Sequence, residues 1–134
     1  MRALRPVSIA VLMSLGTVAG AADFDGTAPL TCTVVQAHDC LPTARSCTRV
    51  KPETDIAPIF TIDFAKKEVK SPFRTALLTV VHTTTNDQSL VLQGADLLTA
   101  WSAQINKQTG AMTVSVSDAK GAYVAFGACK VAGK

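Results

Sequence analysis

From residue 30 onward, apolar and polar side chains alternate one by one along most of the chain. Leu30, Cys32 and Val34 interleave with Thr31, Thr33 and Val35. Phe60, Ile62 and Phe64 interleave with Thr61 and Asp63. After a turn at Ala65–Lys67, Glu68–Lys70 reads as a short returning strand, broken by Ser71-Pro72. Thr75–Thr83 is rich in β-branched residues and apolar on both sides, with Leu77, Thr79 and Val81 on one and Leu78 and Val80 on the other. That predicts a strand covered on both faces or turning a sheet corner. Leu90 and Leu92 alternate up to Gly94, and Trp101, Ala103 and Ile105 share one side of Leu98–Asn106. Met112, Val114 and Val116 alternate with Thr113, Ser115 and Ser117, and Val124, Phe126 and Ala128 close the domain. Period-two patterning of this kind marks half-buried strands.

The links at Thr84–Asp87, Lys107–Gly110 and Asp118–Gly121 carry the Asn, Asp and Gly residues that tight turns use. Short links between consecutive strands predict antiparallel hairpins. The fold expected is therefore all-β: a small antiparallel meander of seven or eight strands closing as a barrel or a sandwich, stapled by disulfides. Residues 36–58 do not fit the alternation. They hold three prolines, two cysteines and mixed charge, and read as an irregular loop of about 23 residues, long enough to need a staple or a function.

The N-terminus has a different pattern. Arg2 and Arg5 precede the uncharged apolar run Val7–Val18, and Ala19-Gly20-Ala21 supplies small residues at a cleavage position. Residues 1–21 read as a secretory signal peptide, with a single β-domain over 22–134. The run is too short to span a bilayer. The expected localisation is periplasmic or secreted. Removing the two arginines lowers the net charge from +3 to +1, so the basic balance supports neither a nucleic-acid nor an anionic-membrane partner. No later apolar stretch is long enough for a membrane span. A monomer without cofactor or metal is expected.

Four cysteines in an oxidising compartment predict disulfides, and four allow three pairings. Cys32 with Cys129 is favoured, because the first and last strands of a closing meander are neighbours. That leaves Cys40 with Cys47 to pin the long loop. The alternative is a zinc site built from His38, Cys40 and Cys47, but the spacing is not the C-x-x-C of zinc or redox sites. His38-Asp39-Cys40 has the residue types of a cysteine nucleophile, yet catalytic partners meet in space rather than in sequence.

His82, Asp63 and Asp96 each lie in a turn or on a polar strand face, and no pair of carboxylates has the spacing for acid–base work. Trp101 reads as a core anchor. Lys66, Lys67 and Lys70 read as a solvated hairpin. Recognition residues are expected where loops leave a rigid scaffold, on residues 39–58 with Arg45, Arg49 and Lys51 as candidates, and on Gly94–Leu97.

Phe24-Asp25-Gly26 with Pro29-Leu30-x-Cys32, Ala57-Pro58 ahead of Phe60-x-Ile62-Asp63-Phe64, Leu92-Gln93-Gly94, Trp101 with Ile105, Thr109-Gly110-x-Met112 and Phe126-Gly127-Ala128-Cys129 form one pattern. It resembles an uncharacterised group of small exported proteobacterial β-proteins. The resemblance implies secretion and a β-domain running from Cys to Cys, and transfers no catalytic residue. The chain is also similar in size, compartment and terminal Cys to the periplasmic β-barrel inhibitors of c-type lysozyme, although their Ser-Gly-x-x-Tyr signature is absent. These readings converge on a non-enzymatic binding or interaction domain for a protein or small-molecule partner. A small-ligand, lipid-like carrier barrel and a lysozyme-type inhibitor are the alternatives.

Overall fold

The computed structural model describes residues 24–50, 58–72 and 77–134. The expected signal peptide at 1–21 and the candidate Lys51 lie outside the described residues. Ten strands carry the described chain: β1 Leu30–Leu41, β2 Ser46–Val50, β3 Ile59–Asp63, β4 Glu68–Lys70 and β5 Leu78–Thr79, then β6 His82–Thr85, β7 Ser89–Ala95, β8 Thr99–Asn106, β9 Ala111–Asp118 and β10 Ala122–Val131. No helix occurs among the described residues.

All pairings are antiparallel, in one sheet ordered β5-β4-β3-β1-β10-β9-β8-β7-β6. β2 pairs with the far half of β1 on the side that β3 uses for the near half. The chain thus runs a circuit. Neighbour pairs are sequential except β1 with β3, between which β2 is inserted in the chain, and β1 with β10, which closes the circuit. The sheet curls into a half-barrel whose two edges, β5 and β6, are separated in sequence by Val80 and Val81 alone. The Val80 amide donates to the Lys67 carbonyl on one side (2.9 Å) and the Val81 amide to Gln93 on the other (2.8 Å).

The alternation places one side chain in two inside the curl. Leu30, Cys32, Leu90, Leu92 and Ile105 are fully buried, and Phe60, Ile62, Trp101, Met112 and Ala125 are among the residues clustered with them. Burying each large apolar side chain contributes roughly 1.5–3 kcal/mol before entropy is charged. Trp101 anchors the core as its sequence context indicates. Its ring lies over its cross-strand partner Gly94, where a Cβ would collide with the indole and with the Thr79 carbonyl. Phe24 is buried beside Gly110 beneath the curl. Ahead of β1, the Thr27 hydroxyl and amide both donate to Asp25, holding its carboxyl below the usual range.

Both favoured disulfides are present. Cys32–Cys129 joins directly opposed residues of β1 and β10 inside the core, and Cys40–Cys47 joins opposed residues of β1 and β2.

Three expectations are corrected. Gln36–Val50 is not irregular: β1 runs through Leu41 and returns as β2. This hairpin stands beyond the core, with every residue from Leu41 to Arg49 exposed, so neither of its faces carries an apolar alternation. Residues 51–57 of the same expected loop lie outside the described residues. Thr75–Thr83 is not one strand covered on both faces. Leu78 and Val80 are buried while Leu77 and Val81 are 53% and 69% exposed, and pairing shifts from β4 to β7 across this segment; residues 73–76 lie outside the described residues. Finally, Val124, Phe126 and Ala128 do not face the core. Cys129 must point inward to meet Cys32, so Ala125, on the same side of β10, is buried and Phe126 is 43% exposed.

Candidate functional site

Antiparallel order fixes which connections share an end of the curl. β1, β9 and β7 run toward one end, and there the β1–β2 hairpin, the β9–β10 turn and the β7–β8 turn emerge together. The hairpin tip of the expected recognition stretch 39–58 and the Gly94–Leu97 loop therefore lie on a single rim, while residues 51–57 lie outside the described residues.

The hairpin is exposed at that rim from Leu41 to Arg49. Pro42–Arg45 form its loop, and Arg45 adopts left-handed backbone (φ 50°), uncommon for a non-glycine residue. The Cys40–Cys47 bridge crosses the two strands just below the loop. Arg49 lies opposite His38 on the outer face of β1 and β2. Arg45 and Arg49 thus occupy one hairpin, at its tip and along its outer side.

A groove of about 460 Å³ separates the hairpin tip from the β9–β10 turn. Leu41, Pro42, the Cys40–Cys47 bridge and Ala122 supply its apolar surface, and Arg45 and Asp118 its charges. This volume falls within the roughly 300–1,000 Å³ of small-ligand sites. The turn approaches the hairpin closely because residue 121 is glycine: a Cβ there would strike the Cys40 carbonyl. Asp118 Oδ1 accepts from the amides of Lys120 and Gly121 (2.8 and 3.0 Å), which fixes the turn. Asp96 does the same in the β7–β8 turn for Leu98 and Thr99 (both 2.8 Å). That turn holds Leu97 and Leu98 in solvent, 101% and 77% exposed. The rim therefore offers stiff loops tipped by leucines and an arginine.

The outer face of the sheet holds the other sequence candidates. His38 points outward, 2.6 Å from the Gln36 amide nitrogen and edge-on to the Phe126 ring. Its neighbours Cys40 and Cys47 are bonded to each other, so the zinc site and the cysteine nucleophile do not form. His82 lies 2.7 Å from the Thr84 hydroxyl on exposed β6. Asp63 accepts the Lys66 amide (3.1 Å) and pairs with its ammonium group (3.6 Å), a solvated turn. Inside the rim, burial pushes the Tyr123 phenol well above its ordinary range, and the charge of Asp39 adds to the shift.

A second pocket, of about 200 Å³, lies at the other end of the curl between Gly26, Phe64, Lys67, Val80 and Thr83. It is smaller than typical ligand sites, and the core cluster lies inside the curl. The β7–β8 turn falls at the expected Gly94–Leu97 loop, and the outward Phe126 is what the sequence reading underweights. In comparisons with known proteins, no family model, curated protein or solved structure matches the chain.

Proposed function

We propose that this chain is an exported, non-enzymatic binding domain that grips a protein partner with its rim. The observation that carries the reading is the disulfide-stapled β1–β2 hairpin, which projects beyond the packed sheet with Arg45 at its tip and lines a groove at its root. Rigid loops on a rigid scaffold lose little conformational entropy on association. Arg45 shares the groove with exposed Leu41 and Pro42, and arginine is a residue type that interfaces favour. Two disulfides are compatible with an oxidising environment, and with the Arg2–Ala21 pattern they support export to the periplasm or beyond.

The test is photo-crosslinking in the exporting cell, with a photoreactive residue at Ala44, at Leu97 or, as a control at the opposite end, at Lys66. The expected result is one and the same adduct from Ala44 and Leu97 and none from Lys66, diminished by Arg45→Glu. Adducts that do not differ between the two ends, or an Ala44 adduct indifferent to Arg45→Glu and Arg49→Glu together, would overturn the reading.

A further inference from the structure

The outward Phe126 sits in an unusual chemical setting. Its cross-strand partners are Gln36 on β1 and Thr113 on β9, and Gln104 on β8 continues the same row. One row nearer the rim lie His38, Val124, Ser115 and Ser102 in the same strand order. These eight positions form a patch three strand spacings wide, about 14 Å, and one pleat repeat tall, about 7 Å. None of the eight is an Asp, Glu, Lys or Arg, in a chain of which these four types make up 17%. Among the described residues, the charged side chains Arg49 beyond His38 and Lys130 beyond Ala128 mark its borders.

The patch is also organised. The imidazole of His38 meets the Phe126 ring edge-on, with 6.5 Å between centroids and 78° between planes. Gln36 holds that imidazole at 2.6 Å. The Ser102 and Ser115 hydroxyls bond each other at 2.9 Å, and Gln104 donates to Ser89 at 3.0 Å. An exposed aromatic ring is thus held in one orientation, amid amides and hydroxyls that both donate and accept.

We propose that this outer face binds a neutral sugar unit of a glycan. A pyranose has an apolar C–H face and an equatorial ring of hydroxyls. The C–H face would lie on Phe126, while the hydroxyls exchange hydrogen bonds with Gln36, His38, Thr113 and Ser115. Lack of charge selects the ligand. A neutral sugar leaves no ion stranded on desolvation, and the eight positions themselves offer neither lysine nor arginine to an anion. The patch fits one or two sugar rings. It lies on the outer sheet face, separate from the rim loops, so its fate is independent of the partner-binding reading.

The experiment is an amide-shift NMR titration of the mature protein with three neutral probes: the dimer of N-acetylglucosamine, maltose and mannobiose. At least one is expected to bind with a Kd on the order of 1 mM, with shifts confined to β1, β10, β9 and β8. Phe126→Ala should weaken it by roughly tenfold or more. Because Phe126 is outside the core, the remaining amide spectrum should stay folded. Thr113→Ala should weaken binding by a few-fold, as one lost hydrogen bond does. If none of the three probes shifts these strands, or if the shifts survive Phe126→Ala in a folded protein, the proposal fails.

Discussion

Tyr123 is the only tyrosine of the chain, so its phenol can be followed by itself. It lies on the inner side of β10 opposite Asp39, where burial and then the carboxylate raise its pKa above the ordinary 10.0. A raised folded pKa means that the fold favours the neutral phenol. The associated stability is whole below the unfolded value and is lost as pH rises past it. Tyrosinate absorbance is therefore expected to stay low above pH 10 while the protein is folded, and to appear together with the loss of native Trp101 fluorescence. Tyr123→Phe should move alkaline unfolding to higher pH. A tyrosinate signal that rises near pH 10 in a still-folded protein would refute this. Phe126, three residues on, shows what the sequence holds without displaying. Hydrophobicity alone picks Val124, Phe126 and Ala128 as the buried set, since the true inward set of Tyr123, Ala125 and Gly127 is less apolar. Yet Phe126 and Cys129 are an odd number of residues apart, so a regular strand sends them to opposite faces. Once Cys129 is bridged to an inward Cys32, Phe126 must face out. The outer patch was legible from the disulfide, and not from periodicity.

The β1–β2 hairpin obeys different rules from the other elements. Strands β7, β8 and β9 announce themselves because one face of each is buried, and their positions match the alternation within a residue or two. From Leu41 to Arg49 the hairpin buries neither face, so this part leaves no such trace, and only its base at Ala37 and Val50 reaches the core. What marks it is the spacing of Cys40 and Cys47, which fits opposed residues flanking a tight loop. Its stability is correspondingly local. Chain-entropy reasoning allows the Cys40–Cys47 bridge roughly 2 to 3 kcal/mol for a separation of 7 residues, but few core contacts depend on it. Replacing both cysteines by alanine is expected to speed amide exchange across Ser46–Val50 and at the tip while leaving β7–β9 protected. Equal loss of protection in β8 would show that the hairpin is instead part of the global folding unit. The same variant should reduce the Ala44 crosslink, because a loosened hairpin pays its ordering entropy on binding.

At the scale of the whole molecule, the fold is a circuit of local hairpins closed by one long-range seam. Composition and turn spacing suffice to foresee the hairpins of β3–β4 and of β7 to β10, since each joins neighbours in sequence, but not the pairing of β1 with both β2 and β3. They do not decide between barrel and sandwich, because that depends on how far the sheet curls before β10 returns to β1. The seam is where that decision is made. β1 and β10 pair from Leu30 with Val131 to Cys40 with Ala122, slipping by one residue at Val35, and such a bulge adds twist and bend. Bringing the two strands together closes nearly the whole domain, the costliest loop in the molecule. The Cys32–Cys129 bridge, at a separation of 97 residues, removes that cost from the unfolded chain. It contributes roughly 4 to 5 kcal/mol in the entropic account, against a typical domain total of about 5 to 15. Cys32→Ala with Cys129→Ala should therefore lower the urea midpoint far more than the corresponding change at Cys40 and Cys47, with all strands losing exchange protection together. If the two double variants unfold at the same urea concentration, the closing entropy is not what the core bridge supplies. Backbone pairing along β1 and β10 would then hold the circuit shut by itself.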